Sequence, residues 1–269
     1  MRRVVMAAVA MMVGWTVPGA ALGAPPSSPF DYAVFALDNL ILRNQVRAID
    51  GDVGSNNGTV TVGRDVRITG AAVGRIIRFR PNTAASEAYC LLLENGPGGL
   101  SCQAVTLPVI ASGLLPAVQV VPGSTAITVT RGSSTSPLPA DAYGNVRVRA
   151  RGQLRLAGGT YAFRSLNLAS RASLVCLDAC NIGVANRVRV RSRASLGGGA
   201  GVAVRNVRLS VARRGSRPVF VGDSRSNVAA VVYAPGGPIQ LRNRGNFVGS
   251  FVGSSVRVNR GAIVQFESR

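Results

Sequence analysis

The chain of 269 residues carries 31 basic and 11 acidic side chains, a formal net charge of +20 and no histidine. Every base is arginine, so with neither His nor Lys the usual partners of a Ser or Cys nucleophile are missing and triad catalysis is excluded. The 8 Phe, 5 Tyr and single Trp are too few, and mostly too regularly placed at apolar positions, to serve as stacking platforms for base-specific nucleic-acid recognition.

Residues 1–23 read as a secretory signal: Arg2 and Arg3 form a basic start, 4–17 an apolar core, and Ala21, Leu22 and Gly23 a cleavage site. The apolar run is short for a membrane span and is broken by Gly14 and Pro18; no later stretch could cross a bilayer as a helix. The expected location is therefore the periplasm, the cell surface or the extracellular space.

After a loose leader at 25–29, a coil beginning at Asp31 opens a chain built on a nine-residue pattern. Residues 146–154, 166–174 and 188–196 repeat it at offsets of 20 and 22. Residues 40–48, 60–68, 239–247 and, one residue short, 256–263 fit it too. Each copy alternates apolar and polar residues, turns through a small polar residue and usually an Arg, and ends on a small and then an apolar residue. Such alternation buries Val146, Val148, Leu154 and Leu156 and sends Arg147, Arg149 and Arg155 to water. The small seventh residue (Val46, Val66, Gly152, Ala172, Ala194, Gly245) suits a crowded inward corner.

A period of about 20 residues is too short for a helix pair and lacks the leucine-rich signature. It fits one coil of a right-handed parallel β-helix, a β-solenoid whose coils stack at about 4.8 Å, giving about 12 coils and a rod about 55–60 Å long. A β-sandwich of short strands is the alternative.

Three stretches follow the signal: N-terminal coils at 24–80, an irregular Pro/Ser/Gly-rich excursion at 81–142, and Arg-rich coils at 143–269. In the first, Asp50-Gly51-Asp52 and 54–58 read as turns. A Ca²⁺ site there falls short of ligands, since only Asp65 is near, and no metal or cofactor is expected. The excursion holds Cys90, Cys102 and the only short helical pattern, 84–93. Gly-rich 197–201 reads as a flexible turn, because neither the Lys-Ser/Thr of a phosphate loop nor a helix follows. The chain ends near Phe266 with no polar cap, which leaves the last coil edge open to pairing.

Charge is divided unevenly. Residues 24–144 hold 8 Arg against 8 acids, whereas 145–269 hold 21 Arg against 3. Outward positions recur from coil to coil, so Arg147, Arg189, Arg242 and Arg257, in the second or fourth slot of the pattern, are expected to line one face. Together with Arg149, Arg155, Arg191 and Arg208 they are the candidate site for a polyanion: an acidic polysaccharide, lipopolysaccharide or extracellular DNA. A merely solvated face in a chain that uses Arg for every cation is the alternative. Four cysteines in an exported chain read as two disulfides, and local pairing, Cys90 with Cys102 and Cys176 with Cys180, is the choice among three connectivities.

The coil corners, Gly158-Gly159-Thr160-Tyr161-Ala162-Phe163, Tyr233-Ala234-Pro235-Gly236-Gly237-Pro238 and the closing 248–253 (VGSFVG), together with the signal, resemble a group of exported bacterial β-helix proteins. Their coils are similar to those of bactofilins, the polymer-forming cytoskeletal family. The resemblance covers most of the mature chain and implies a fold and self-association by end-to-end stacking; it brings no catalytic residues. The corner Asn common in that group is mostly Arg here, and bactofilins are typically cytoplasmic.

The enzymatic rival is a polysaccharide lyase, whose Arg base works beside carboxylates that hold Ca²⁺. After residue 145 the only acids are Asp178, Asp223 and Glu267, a poor inventory for such a cage. The expectation is a non-catalytic structural or adhesive rod of the envelope or matrix with an Arg-rich, polyanion-binding face.

Overall fold

A computed structural model describes residues 25–267, so the expected signal at 1–23 lies outside the described residues. The chain is an all-β parallel solenoid whose full coils each contribute three short strands to three faces of a prism. Inward Val, Leu, Ile and Phe from all faces fill one continuous core. Each such side chain, fully buried, contributes about 1.5–3 kcal/mol.

The first face stacks Ile127–Val129, Ala142–Val148, Gly159–Leu168, Val188–Val190, Phe220–Gly222, Ile239–Leu241, Val256–Val258, Leu40–Leu42, Thr59–Val62, Ile76–Phe79 and Leu92–Glu94, in that spatial order. The second face runs alongside it from Ala142–Val148 to Cys102–Gln103. The third runs from Gln153–Leu156 through Ser173–Cys176, Ser195–Gly198, Asn227–Ala229, Asn246–Val248 and Ile263–Gln265 to Ala48–Asp50.

Spatial order is therefore not chain order. The first coil sits on the last: Leu40 lies opposite Val256, Val34 opposite Phe251 and Ile49 opposite Val264. The last coil edge, expected to be open, is covered by the chain's own beginning. Ladder hydrogen bonds across the seam explain this, since both coils carry the same inward pattern and neither would otherwise satisfy its backbone. The true ends of the rod are the coils around 92–103 and 127–142.

The chain travels between those ends through a strap, 104–126, laid along the outside of the second face. The excursion expected over 81–142 is thus shorter, because Glu87–Tyr89, Leu92–Glu94 and Cys102–Gln103 still pair as strands and Ile127–Val129 rejoins the stack. The helical pattern at 84–93 forms two of these strands; sheet pairing overrides a weak local preference.

Outward apolar residues hold the strap. Phe35, Val73, Tyr89, Tyr233 and Val252 form a second cluster with Ile110, against which Val105, Val109, Leu115 and Val118 pack. The buried Asn56 accepts Ile110 N–H at 2.6 Å through its side chain, and its carbonyl accepts Val109 N–H at 3.2 Å. Tyr233 Oη donates to Pro116 O at 2.9 Å. Gly183 is needed where the strap passes closest, since a Cβ there would stand 3.0 Å from Val120.

Both disulfides pair as the spacing indicated: Cys90 with Cys102, at the root of the strap, and Cys176 with Cys180. They fit an oxidising compartment. Among the described residues no helix is long and apolar enough to cross a membrane.

Candidate polyanion interface

At the corner between the first and third faces, each coil places one residue in the left-handed backbone region. In spatial order these are Gly132, Arg151, Arg171, Arg193, Arg225, Arg244, Gly261, Gln45, Asp65 and Asn82, with φ between 57° and 72°. The strand registers align them slot for slot. The corner N–H reaches across to the next coil, as in Arg151 N to Ser170 O (3.4 Å), Arg171 N to Ser192 O (3.2 Å) and Arg225 N to Asn243 O (3.1 Å).

Five consecutive coils thus present Arg at a site whose backbone favours Gly or Asn. A left-handed conformation costs a residue with a Cβ about 1–2 kcal/mol. What Arg adds there over Gly or Asn is a cation at each step of about 4.8 Å. All five are exposed, and Arg131, Arg151, Arg171 and Arg193 with Ala150, Ser170 and Ser192 line a shallow cleft of about 320 Å³. The ion pairs found among the described residues, Arg78 with Glu94 and both Arg189 and Arg242 with Asp223, leave these corner arginines without a carboxylate partner.

The arginines expected to line a face are arranged differently. Arg147, Arg189 and Arg257 share one slot, yet the register interposes Asn167 between the first two and Val221 and Gln240 before the third, so they stand on separated coils. Arg242 lies in a neighbouring slot opposite Asp223. That buried carboxylate takes Arg242 Nη1 at 2.8 Å and Arg189 Nε at 3.3 Å, which neutralises part of the expected site. Arg149 and Arg191 are exposed in the same slot as Arg242, with Ala169 between them. Arg155 is half-buried on the third face, opposite Val175, and Arg208 is exposed on the second, opposite Asn181 and Val231.

Next to this group, the Arg187 guanidinium is held below its ordinary pKa by desolvation and then by Arg189, Arg242 and Arg213, with Asp223 opposing.

The acids serve the coil itself. Asp52 accepts Ala71 N–H at 2.6 Å, Asp50 accepts Thr69 Oγ1 at 2.9 Å and Asp65 accepts Asn82 Nδ2 at 3.1 Å, so the segment weighed for Ca²⁺ spends its carboxylates on turns. Asp178 accepts the N–H of Ala179 at 2.7 Å.

The corner ladder is not evident from the sequence alone because Arg225 belongs to a coil, 220–228, that departs from the nine-residue pattern. Its Gly222 and Asp223 replace the expected apolar and Arg residues. The recurring Arg in the sixth slot was the available signal. No protein-family model, curated protein or solved structure matches the chain.

Proposed function

We propose that this protein is an exported, non-catalytic solenoid that binds a linear polyanion along its corner arginines. The observation that carries the reading is the run Arg151, Arg171, Arg193, Arg225 and Arg244, in which five coils in succession accept a backbone cost in order to present a guanidinium. One cation per coil, about 4.8 Å apart, suits a polymer with one carboxylate per sugar ring better than a duplex with one phosphate charge per about 1.7 Å of axis. Arg is suited to the task because its planar fork grips carboxylate or phosphate with two hydrogen bonds.

Two disulfides and the basic, apolar N-terminal segment support a role outside the cytoplasm, in the envelope or matrix. The test is binding of the purified protein to a polyuronate, to lipopolysaccharide, to duplex DNA and to a neutral glucan across a salt series, with product release followed in the same samples. Polyuronate binding that weakens with salt and releases no product is expected. Release of unsaturated sugar would instead establish a lyase, and equal binding of the neutral glucan would remove the charge argument.

A further inference from the structure

We infer that the channel between the strap and the second face is a binding site for an elongated amphiphile with an anionic end and a hydroxyl at the far end. The strap does not lie flat: between it and the coils is a cavity of about 690 Å³, within the size range of small-molecule sites. Its walls combine apolar groups, Val118, Val231 and Tyr233 among them, with polar groups spaced along the rod.

Arg205 and Arg208, both exposed, supply cations midway along the cavity, since Asn181 and Thr160 continue the row of Arg208 for two further coils; neither Arg has a carboxylate partner among the described residues, and Arg208 Nε points to Arg205 O at 3.5 Å. Strand register then sets the distance from these cations to Ser250. Arg208 stands opposite Val231 and Val232 stands opposite Phe251, so Ser250 follows Val231 in the same outward row. Arg208 and Ser250 are two coils apart, about 10 Å.

Ser250 is 1% exposed and its hydroxyl has no hydrogen-bond partner among the described residues, although a buried hydroxyl left unpaired costs about 1–3 kcal/mol. It lines the cavity, so a ligand oxygen would satisfy it. Asp31 and Glu267 line the cavity too. Asp31 lies just before Ala33, whose carbonyl accepts Phe251 N–H at 3.1 Å, and Glu267 follows Phe266, whose N–H reaches Asp50 at 2.8 Å. Both acids therefore belong to the Ser250 end. The stretch of the cavity between Arg208 and Ser250 is polarised along the rod, with cations at one end and carboxylates with the Ser250 hydroxyl at the other. An anion enters favourably only at the Arg205/Arg208 end, and a hydroxyl at the other end can accept from Ser250 while donating to a carboxylate.

Calorimetric titration of the purified protein with decanoate, 10-hydroxydecanoate, decyl phosphate and decanol tests this. The two acids and the phosphate should bind, decanol about tenfold more weakly or not at all, and the hydroxylated acid more tightly than decanoate. The decyl phosphate arm shows whether phosphate or carboxylate is the preferred head. Arg205→Gln with Arg208→Gln should weaken the anions about tenfold. Ser250→Ala should erase the advantage of 10-hydroxydecanoate while leaving decanoate unchanged, a readout that loss of fold would not mimic. Replacing the five corner arginines by Asn should change none of these affinities, which separates this site from the polyanion track. Equal binding of decanol, no binding of any probe, or anion binding that survives the double Arg variant would overturn the assignment.

Discussion

The side-chain carbonyl of Asn56 accepts the backbone N–H of Ile110 at 2.6 Å, joining the second coil to the strap across 54 residues of sequence. Asn56 is 5% exposed, so neither partner can turn to water when the other is removed. Asn56→Leu should lower unfolding stability by about 1–3 kcal/mol and expose the strap to limited proteolysis between 104 and 126. Equilibrium denaturation and mapping of the first cleavage site check both.

A second fastening gives a pH dependence. Burial pushes the Tyr233 hydroxyl up to about 12, and it donates to Pro116. In the unfolded chain this phenol ionises near its ordinary value of about 10. Its contribution is therefore fully present below about pH 10 and is lost as pH rises toward about 12. Tyr233→Phe should be less stable than wild type at neutral pH and should flatten the fall in stability between those values. Chemical denaturation at stepped alkaline pH shows whether the two curves converge.

Asp223 makes a further prediction. It is buried, serves Arg189 and Arg242, and its carbonyl accepts Ser226 Oγ at 2.6 Å. Asp223→Asn removes the charge while keeping the shape, so about 1–3 kcal/mol of stability should be lost. The freed Arg189 and Arg242 should also raise affinity for polyanions, so stability and binding move in opposite directions. A variant that loses both would show that the ion pairs, and not the corner, organise the site.

The Cys90–Cys102 bridge closes a separation of 12 residues at the rod end where the strap begins; Cys176–Cys180 closes only 4. Because the unfolded chain gains more freedom when the longer loop opens, Cys90→Ser with Cys102→Ser should cost about 2–3 kcal/mol and the other pair less. Thermal unfolding of the two double variants ranks them.

Much of the fold was legible because period two and a period of about 20 both come from the core. Val146, Leu166 and Val188 are alike because they occupy one stacked position, and an apolar residue there is required in every coil. What remained hidden depends on contacts that leave no local mark. Nothing about Leu40 or Val256 taken singly says that they meet, because all coils carry similar edges and any could stack on any other. The strap looked irregular because its hydrogen bonds go to Asn56 and Tyr233 and not to a ladder. The site was half legible. Excess Arg after residue 145 was plain in composition, but the corner run required a register that only the assembled coils supply, and the Asp223 pairs needed the 220–228 coil set beside its neighbours.

Replacing Arg151, Arg171, Arg193, Arg225 and Arg244 together with Asn, a residue that accepts the left-handed corner, and measuring polyuronate affinity against salt beside thermal stability shows whether these arginines hold the polymer. Stability should be equal or higher, affinity should fall by at least about tenfold at low salt, and the dependence of log K on log salt should become much shallower. Unchanged affinity and slope in a stably folded variant would contradict that role.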